Sequence, residues 1–396
     1  MNDVNTLAEA LKKGLLEDAK QRIDQGEKLP KDLPSHDRRY IYDQLARAKA
    51  YDVLLGLVKN RSIEMDLYEY EKLDGSIYES LFRNIGNSSD DIAFLEAFLQ
   101  KADNINDAVN GKTLLALAFS LNVPLEIISV LVDAGCDIRY RNNAEENYLY
   151  GIVQEFSIKE DTGLSYLSYL IEQGLDPNEG NIVRETPLQL AIGKNKTKYI
   201  DLLLQKGADP NQPGKDDETA YYYALVHQVC GTAMYDRLAQ YAAPDFEVAN
   251  KNQETVLGGT LRMRSRATES DIAIVKALLR DGADIYQTSH YYNQPKAALD
   301  WVAEYPADML EAVLEAGVVE IDRRDDAGNT LLHKVCGYNI NYDQEAARQL
   351  YRKVKLLIEH GADTNLTNDR DQSAMDLAAQ DNLKAKVVEL LLKHKA

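Results

Sequence analysis

The 396-residue sequence predicts an all-α solenoid of stacked helix pairs joined by short β-hairpin-like turns. Three observations predict it. A leucine-rich run ending in a Gly-Ala-Asp-like turn recurs along the chain. A second phrase, led by Thr or Ser and rich in Leu and Ala, recurs between those turns. The two alternate in a fixed order, as stacked units require and a single globular core does not.

The turn phrase reads Leu131-Val132-Asp133-Ala134-Gly135-Cys136-Asp137 and returns as Leu170-Ile171-Glu172-Gln173-Gly174-Leu175-Asp176. Its closest copies are Leu203-Leu204-Gln205-Lys206-Gly207-Ala208-Asp209, Leu278-Leu279-Arg280-Asp281-Gly282-Ala283-Asp284 and Leu357-Ile358-Glu359-His360-Gly361-Ala362-Asp363. Weaker copies lie at Gly317-Val318 and Ala242-Ala243-Pro244-Asp245. The run closes a helix, and the glycine after it supplies a left-handed stop that a side chain would strain. The second phrase reads Thr113-Leu114-Leu115-Ala116-Leu117-Ala118, then Thr186-Pro187-Leu188-Gln189-Leu190-Ala191. Later copies are Thr330-Leu331-Leu332-His333 and Ser373-Ala374-Met375-Asp376-Leu377-Ala378. Its hydroxyl suits a helix start, where unpaired amides need an acceptor.

These two phrases are similar to the halves of the ankyrin unit, and on them the chain resembles the ankyrin repeat family. The resemblance implies a first short helix opened by the Thr phrase and a second helix ended by the Leu run. Residues 1–107 read as degenerate N-terminal ankyrin-like helical repeats. Residues 108–396 read as ankyrin repeats continuous with them and ending in a cap. In the first third, helical pairs fit Leu7 to Gly26, Ile41 to Lys59 and Ile77 to Lys101 by apolar spacing. The last pair runs from Ser373 to His394, with Lys386, Lys393 and Lys395 facing water. Counting turns gives about eleven units. Another all-helical solenoid would explain the helix pairs but not the Gly-Ala-Asp turns.

Composition narrows the functional classes. Hydrophobic residues at 45% and charged residues at 28% are those of a folded chain rather than a disordered one. No run approaches the roughly 20 apolar residues of a membrane span. Three dispersed cysteines, Cys136, Cys230 and Cys336, fit free thiols in a reducing compartment, so a cytoplasmic protein is expected. A net charge of −19 repels nucleic acid and anionic lipid and favours a basic protein partner. No nucleic-acid or membrane partner is expected, and the oligomeric state stays open.

Enzyme signals are weak. There is no Gly-rich phosphate loop, no Gly-x-Ser-x-Gly elbow and no His-Glu-x-x-His motif. His227/Cys230 and His333/Cys336 have helical spacing but sit in different registers of units far apart along the chain, so no metal site and no cofactor are expected. His333 takes the slot of the buried family histidine, and Tyr222 takes the same slot in its own unit. Tyr221, Tyr223 and Trp301 take core slots.

Candidate contact residues follow from the resemblance. In ankyrin proteins the first helices and hairpin tips line a concave groove where partners bind. The corresponding groove positions are Phe119, Lys194, His227, Arg262, Met263, Tyr305, Tyr338 and Gln380. Tip positions add Arg139, Tyr140, Arg141, Tyr286, His290, Tyr291, Tyr292, Arg323 and Arg324. Aromatic and Arg side chains are typical interface anchors. Extra residues near 154–163, 262–271 and 337–352 enlarge the opposite edge, between the first and second helices. The acidic stretch Glu64, Asp66, Glu69, Glu71 and Asp74 reads as a solvated connector, with a docking strip for a basic segment as the sharper alternative. The function expected is a non-catalytic scaffold that binds a protein partner. Alternatives of the same surface are a bacterial immunity protein that neutralises a toxin, and a regulator that blocks an enzyme's active site.

Overall fold

Hydroxyl groups open the first helices. Thr113 Oγ1 accepts the Ala116 amide at 3.1 Å, Thr186 Oγ1 the Gln189 amide at 3.2 Å, and Ser373 Oγ the Asp376 amide at 3.2 Å. Each satisfies an amide that the helix itself leaves unpaired. The second helices stop at glycine: Gly207 and Gly361 adopt φ of 94° and 90°, where an L side chain would clash with its own backbone.

The computed structural model describes residues 6–291 and 294–394. They form two compact units, residues 6–191 with 198–207, and residues 192–197 with 208–291 and 294–394. Helices follow one another in pairs. The first unit contains α1 (Leu7–Lys12) and α2 (Leu16–Asp24), α3 (Ser35–Arg47) and α4 (Tyr51–Lys59), α5 (Ile77–Asn84) and α6 (Ser89–Leu99). It continues with α7 (Leu114–Ser120) and α8 (Leu125–Asp133), then α9 (Tyr148–Gln154) and α10 (Glu160–Glu172). The pair α11 (Pro187–Gly193) and α12 (Thr197–Gln205) belongs to it except for the connecting residues 192–197.

The second unit opens with α13 (Ala220–Tyr222), which runs into a single π-helical segment over Tyr223–His227, and α14 (Thr232–Ala239). Then come α15 (Val256–Met263) and α16 (Glu269–Arg280), followed by the strands β1 (Thr288–Tyr291) and β2 (Gln294–Ala297). The remaining pairs are α17 (Ala298–Glu304) and α18 (Ala307–Glu315), α19 (Leu331–Gly337) and α20 (Gln344–Glu359), α21 (Ala374–Ala378) and α22 (Ala385–Lys393). The strands β1 and β2 pair antiparallel, with Thr288 opposite Ala297 and Tyr291 opposite Gln294. Elsewhere the connectors reach only single bridges, such as Val109 with Lys112 and Thr367 with Ser373.

Three kinds of contact stack the pairs. Leu131, Leu170, Leu203, Leu278 and Leu357, one from each copy of the leucine run, are completely buried. Truncating any of them to Ala would cost about 2–5 kcal/mol. Asparagines clamp successive tips: Asn106 donates to the Gly135 carbonyl at 3.0 Å and accepts the Asp137 amide at 2.7 Å. Asn211 repeats the clamp on the Ala243 carbonyl at 2.8 Å and the Asp245 amide at 2.9 Å. Finally, long polar side chains from the following pair cap the carbonyl ends of the first helices. Tyr166 donates to the Val123 carbonyl, Tyr305 to Leu261 and Lys353 to Ala303. Lys384 Nζ reaches the carbonyls of Cys336 and Tyr338 at 2.9 and 2.7 Å. A cation there meets the negative end of the helix dipole as well as its unpaired acceptors.

The expanded segments go partly into helix. The second helices after them, α10, α16 and α20, have 13, 12 and 16 residues, against 9 in α8, α12 and α18. The residues left over keep exposed apolar side chains on the connecting loops, Phe156 and Tyr342 among them, and Met263 is exposed at the end of α15.

Candidate partner-binding face

On the second unit the first helices carry a row of cations, each seated on a carboxylate that the sequence alone did not single out. Glu218 and Glu254 precede the hydroxyl caps Thr219 and Thr255, so each is held at a helix entrance and almost buried. Glu218 meets His227 at 2.7 Å. Its hydrogen bond holds the imidazole more basic than an ordinary histidine, against the opposing effect of burial. Glu254 takes Arg262 with both oxygens, at 2.7 Å from Nε and 2.9 Å from Nη2. The Tyr222 hydroxyl donates to the same carboxylate, and Asn250 donates to that hydroxyl at 3.2 Å. Tyr222 therefore links adjacent pairs from the slot in which His333 bonds Thr330 Oγ1 and the Gln372 carbonyl, at 2.8 and 3.1 Å.

The hairpin β1–β2 raises a wall beside α17. Lys296 on β2 lies with Nζ 3.3 Å from the Trp301 ring centroid and 2.7 Å from Glu304 Oε1. Tyr291 meets Trp301 edge-on, with ring centroids 4.9 Å apart. Lys334 of α19 stands between Asp300 and Asp325, 2.6 Å from each. Burial opposes its charge, but the two carboxylates outweigh burial and raise its pKa. Tyr291, Lys296, Glu304 and Lys334, with Tyr338 and Arg370, line an open cleft of about 690 Å³. A smaller cleft of about 390 Å³ lies along Tyr286, Arg323, Arg324 and Asp325. There Arg323 stacks 3.9 Å from the Tyr286 ring centroid, and the Tyr286 hydroxyl accepts the Glu320 amide at 2.6 Å.

Two of the expected groove positions are not accessible. Phe119 is 2% exposed and packs on Tyr148 and Tyr166, with centroids 5.4 and 4.8 Å away. Tyr305 is buried because its hydroxyl caps the Leu261 carbonyl. Both correct the reading from register: the aromatic at the end of a short first helix turns against a neighbouring pair, the following one for Phe119 and the preceding one for Tyr305. His227 and Met263 are exposed, Arg262, Lys194 and Tyr338 half-buried, and Gln380 exposed. Of the tip residues, Arg139, Arg323, Arg324 and His290 are exposed, and Tyr140, Arg141, Tyr286 and Tyr291 half-buried. Arg141 is paired with Glu179 at 2.5 Å. Arg139 and Arg324 have no carboxylate within 4 Å among the described residues. Tyr292 lies outside the described residues. Of the tyrosines assigned to the core, Tyr221 is buried and Tyr223 half-buried; Trp301 is buried too.

The residues missed by sequence reasoning, Glu218, Glu254, Lys296, Glu304 and Lys334, have one legible signal. Glu218 and Glu254 occupy the position immediately before a capping Thr, as Glu185 does before Thr186. The others lie on an inserted hairpin or in helix positions that many polar residues can fill. Among the described residues no group of three or more His, Cys, Asp and Glu is arranged to hold a metal ion. No helix among them is long and apolar enough to cross a membrane.

Comparison with known proteins places the local unit. The sequence pattern of the ankyrin repeat matches residues 184–215, which span the Thr186 cap, α11, α12 and the Gly207 turn. The ankyrin repeat domain of Bcl-3, a member of the IkappaB protein family, is similar with a TM-score of 0.49 and 23% identity. The match covers 63% of this chain and 98% of that one. A chain of the complex of the predatory endopeptidase Bd0816 from Bdellovibrio bacteriovorus with immunity protein Bd3460 is similar with a TM-score of 0.40 and 19% identity. That match covers 52% of this chain and 97% of the other. No curated protein matches the chain. The unit at residues 184–215 is thus an ankyrin repeat, and the same cap, leucine run and glycine turn recur before and after it.

Proposed function

We propose that the chain is a non-catalytic scaffold that binds a protein partner on the first-helix face and tips of its second unit. The observation that carries this reading is the open cleft of about 690 Å³ walled by the β1–β2 hairpin. Its half-exposed Tyr291 and Tyr338 offer aromatic surface at small entropic cost. The ion pairs of Lys296 and Lys334 around them supply a polar rim already neutralised. Paired charges of this kind suit recognition, because the partner need not strip water from a free ion. Arg324 and Met263 extend the proposed contact to the tips and the groove end of the same unit. The charge of −19 favours a basic partner through long-range steering.

The test is affinity capture with the full chain and with the double variant Tyr291→Ala/Tyr338→Ala. The expected result is a partner recovered by the native chain and lost by the variant, with both proteins equally folded. Identical recoveries would refute the assignment of the cleft. What the captured partner does alone then separates the kinds of scaffold. A partner that kills cells unless this chain is co-expressed makes it an immunity protein, and an enzyme inhibited on binding makes it a regulator.

A further inference from the structure

The first unit reverses the charge pattern of the chain at one place. The first helices α3, α5 and α7 present a recess of about 440 Å³ lined by Arg39, Asp43, Arg47, Arg83, Asn84 and Leu121. Three guanidinium groups thus converge in a protein whose net charge is −19. Their neutralisation is incomplete. Glu79 gives one oxygen to the Gly75 amide at 2.6 Å, which spends it on the start of α5. Its other oxygen takes Arg83 through Nε and Nη2, at 2.9 and 2.6 Å, and stands 3.8 Å from Arg39. Asp43 is 3.8 Å from Arg39 through Oδ2, and its other oxygen is buried without any hydrogen bond. Arg47 is exposed at the end of α3 with no carboxylate within 4 Å among the described residues.

Like charges gathered without enough counter-charge are held at an energetic cost, and an oxyanion that accepts from several guanidinium forks removes it. A carboxylate or phosphoryl group on an acidic polypeptide segment presents such oxygens, and clusters of arginine are the usual receptors for them.

We propose that this recess is an anion-binding site that takes an oxyanion side chain of a polypeptide, with Arg47, Arg83 and Arg39 holding the anion. The site lies wholly within the first unit and goes beyond the cleft of the second. The screening length of about 8 Å at physiological salt lets a local positive recess act within an acidic field.

The oxyanion can be a carboxylate or a phosphoryl group, and the test separates them. Fluorescence anisotropy at low salt would be measured with a labelled hexaglutamate peptide, a hexaglutamine control and a Gly-Ser peptide bearing one phosphoserine. The expected result is saturable binding of hexaglutamate or of the phosphoserine peptide but not of hexaglutamine. Binding should fall about tenfold in Arg47→Gln and be displaced by inorganic phosphate. Stronger binding of one anionic probe identifies the group. Arg47→Lys should retain part of the affinity, and Arg352→Gln, at an exposed cation of the other unit, should retain all of it. No binding of either anionic probe, or equal binding by native and Arg47→Gln proteins, would overturn the proposal. Neither outcome touches the capture experiment on Tyr291 and Tyr338, so the two readings fail separately.

Discussion

The first-helix surfaces of the two units treat their cations differently. In the second unit His227, Arg262, Lys296 and Lys334 each stand within 2.7 Å of a carboxylate, and Glu218 and Glu254 are almost buried beneath the first two. In the first, Arg39 and Arg83 share one oxygen of Glu79 and Arg47 has none. The difference teaches that position in the repeat does not decide whether a groove residue is free to bind. For His227 and Arg262 it depends on the carboxylate that precedes the capping Thr of the same pair, Glu218 or Glu254, which is held under the groove; for Lys296 and Lys334 it depends on carboxylates of the neighbouring elements.

The strongest way to break this comparison is to show that a groove slot is not structural where packing says it is. Phe119→Ala should destabilise the first unit by about 3–5 kcal/mol, since it empties a site between Tyr148 and Tyr166. Hydrogen exchange of α7 and α9 reads it, and unaltered protection would return Phe119 to the contact surface. Next, Glu254→Gln should cost the second unit about 3 kcal/mol. The value lies at the low end for a broken buried pair because Arg262 keeps some solvent. A thermal shift no larger than that of a surface substitution would mean that Arg262 is a free contact after all.

The buried lysine sharpens the comparison through pH. Burial lowers the Lys353 pKa from 10.5 to about 8. The unfolded chain therefore holds a proton that the folded chain has released, and stability of the second unit should rise as pH increases above about 8. Between about pH 7.5 and 9.5 the gain relative to Lys353→Met should approach 2 kcal/mol, while the Cys336 thiol, which burial pushes up to about 12, acts in the opposite sense in both proteins. In Lys353→Met the rise should vanish; a variant with the same pH profile would place the lysine charge in water. The smallest effect is expected at Arg47, where Arg47→Gln should change thermal stability by less than about 0.5 kcal/mol. A loss comparable to that of Glu254→Gln would make Arg47 part of the framework rather than a free cation.

Much of the fold was legible because its signals are local. Thr113, Thr186 and Ser373 cap the helices they precede, and Gly207 and Gly361 end the helices they follow, through bonds spanning three or four residues. The candidate site was legible only in part. The tip residues Arg139 and Arg324 are exposed as their positions suggested, whereas Phe119 and Tyr305 share the groove register of the exposed His227 and Met263 yet are buried. Register fixes the direction of a side chain from its own helix, but the next pair decides what covers it.

By itself, then, the amino-acid sequence determined the repeat, the helix pairs and the acidic charge, because these follow from periodicity, capping and composition. Tertiary structure alone decided which charges are spent. Arg262 and Glu254 lie eight residues apart across a helix entrance, Lys353 reaches Ala303 from 50 residues away, and Arg39 shares with Arg83 a carboxylate 40 residues beyond it. Such pairings depend on how one helix pair stacks on the next, through distances that no local pattern encodes.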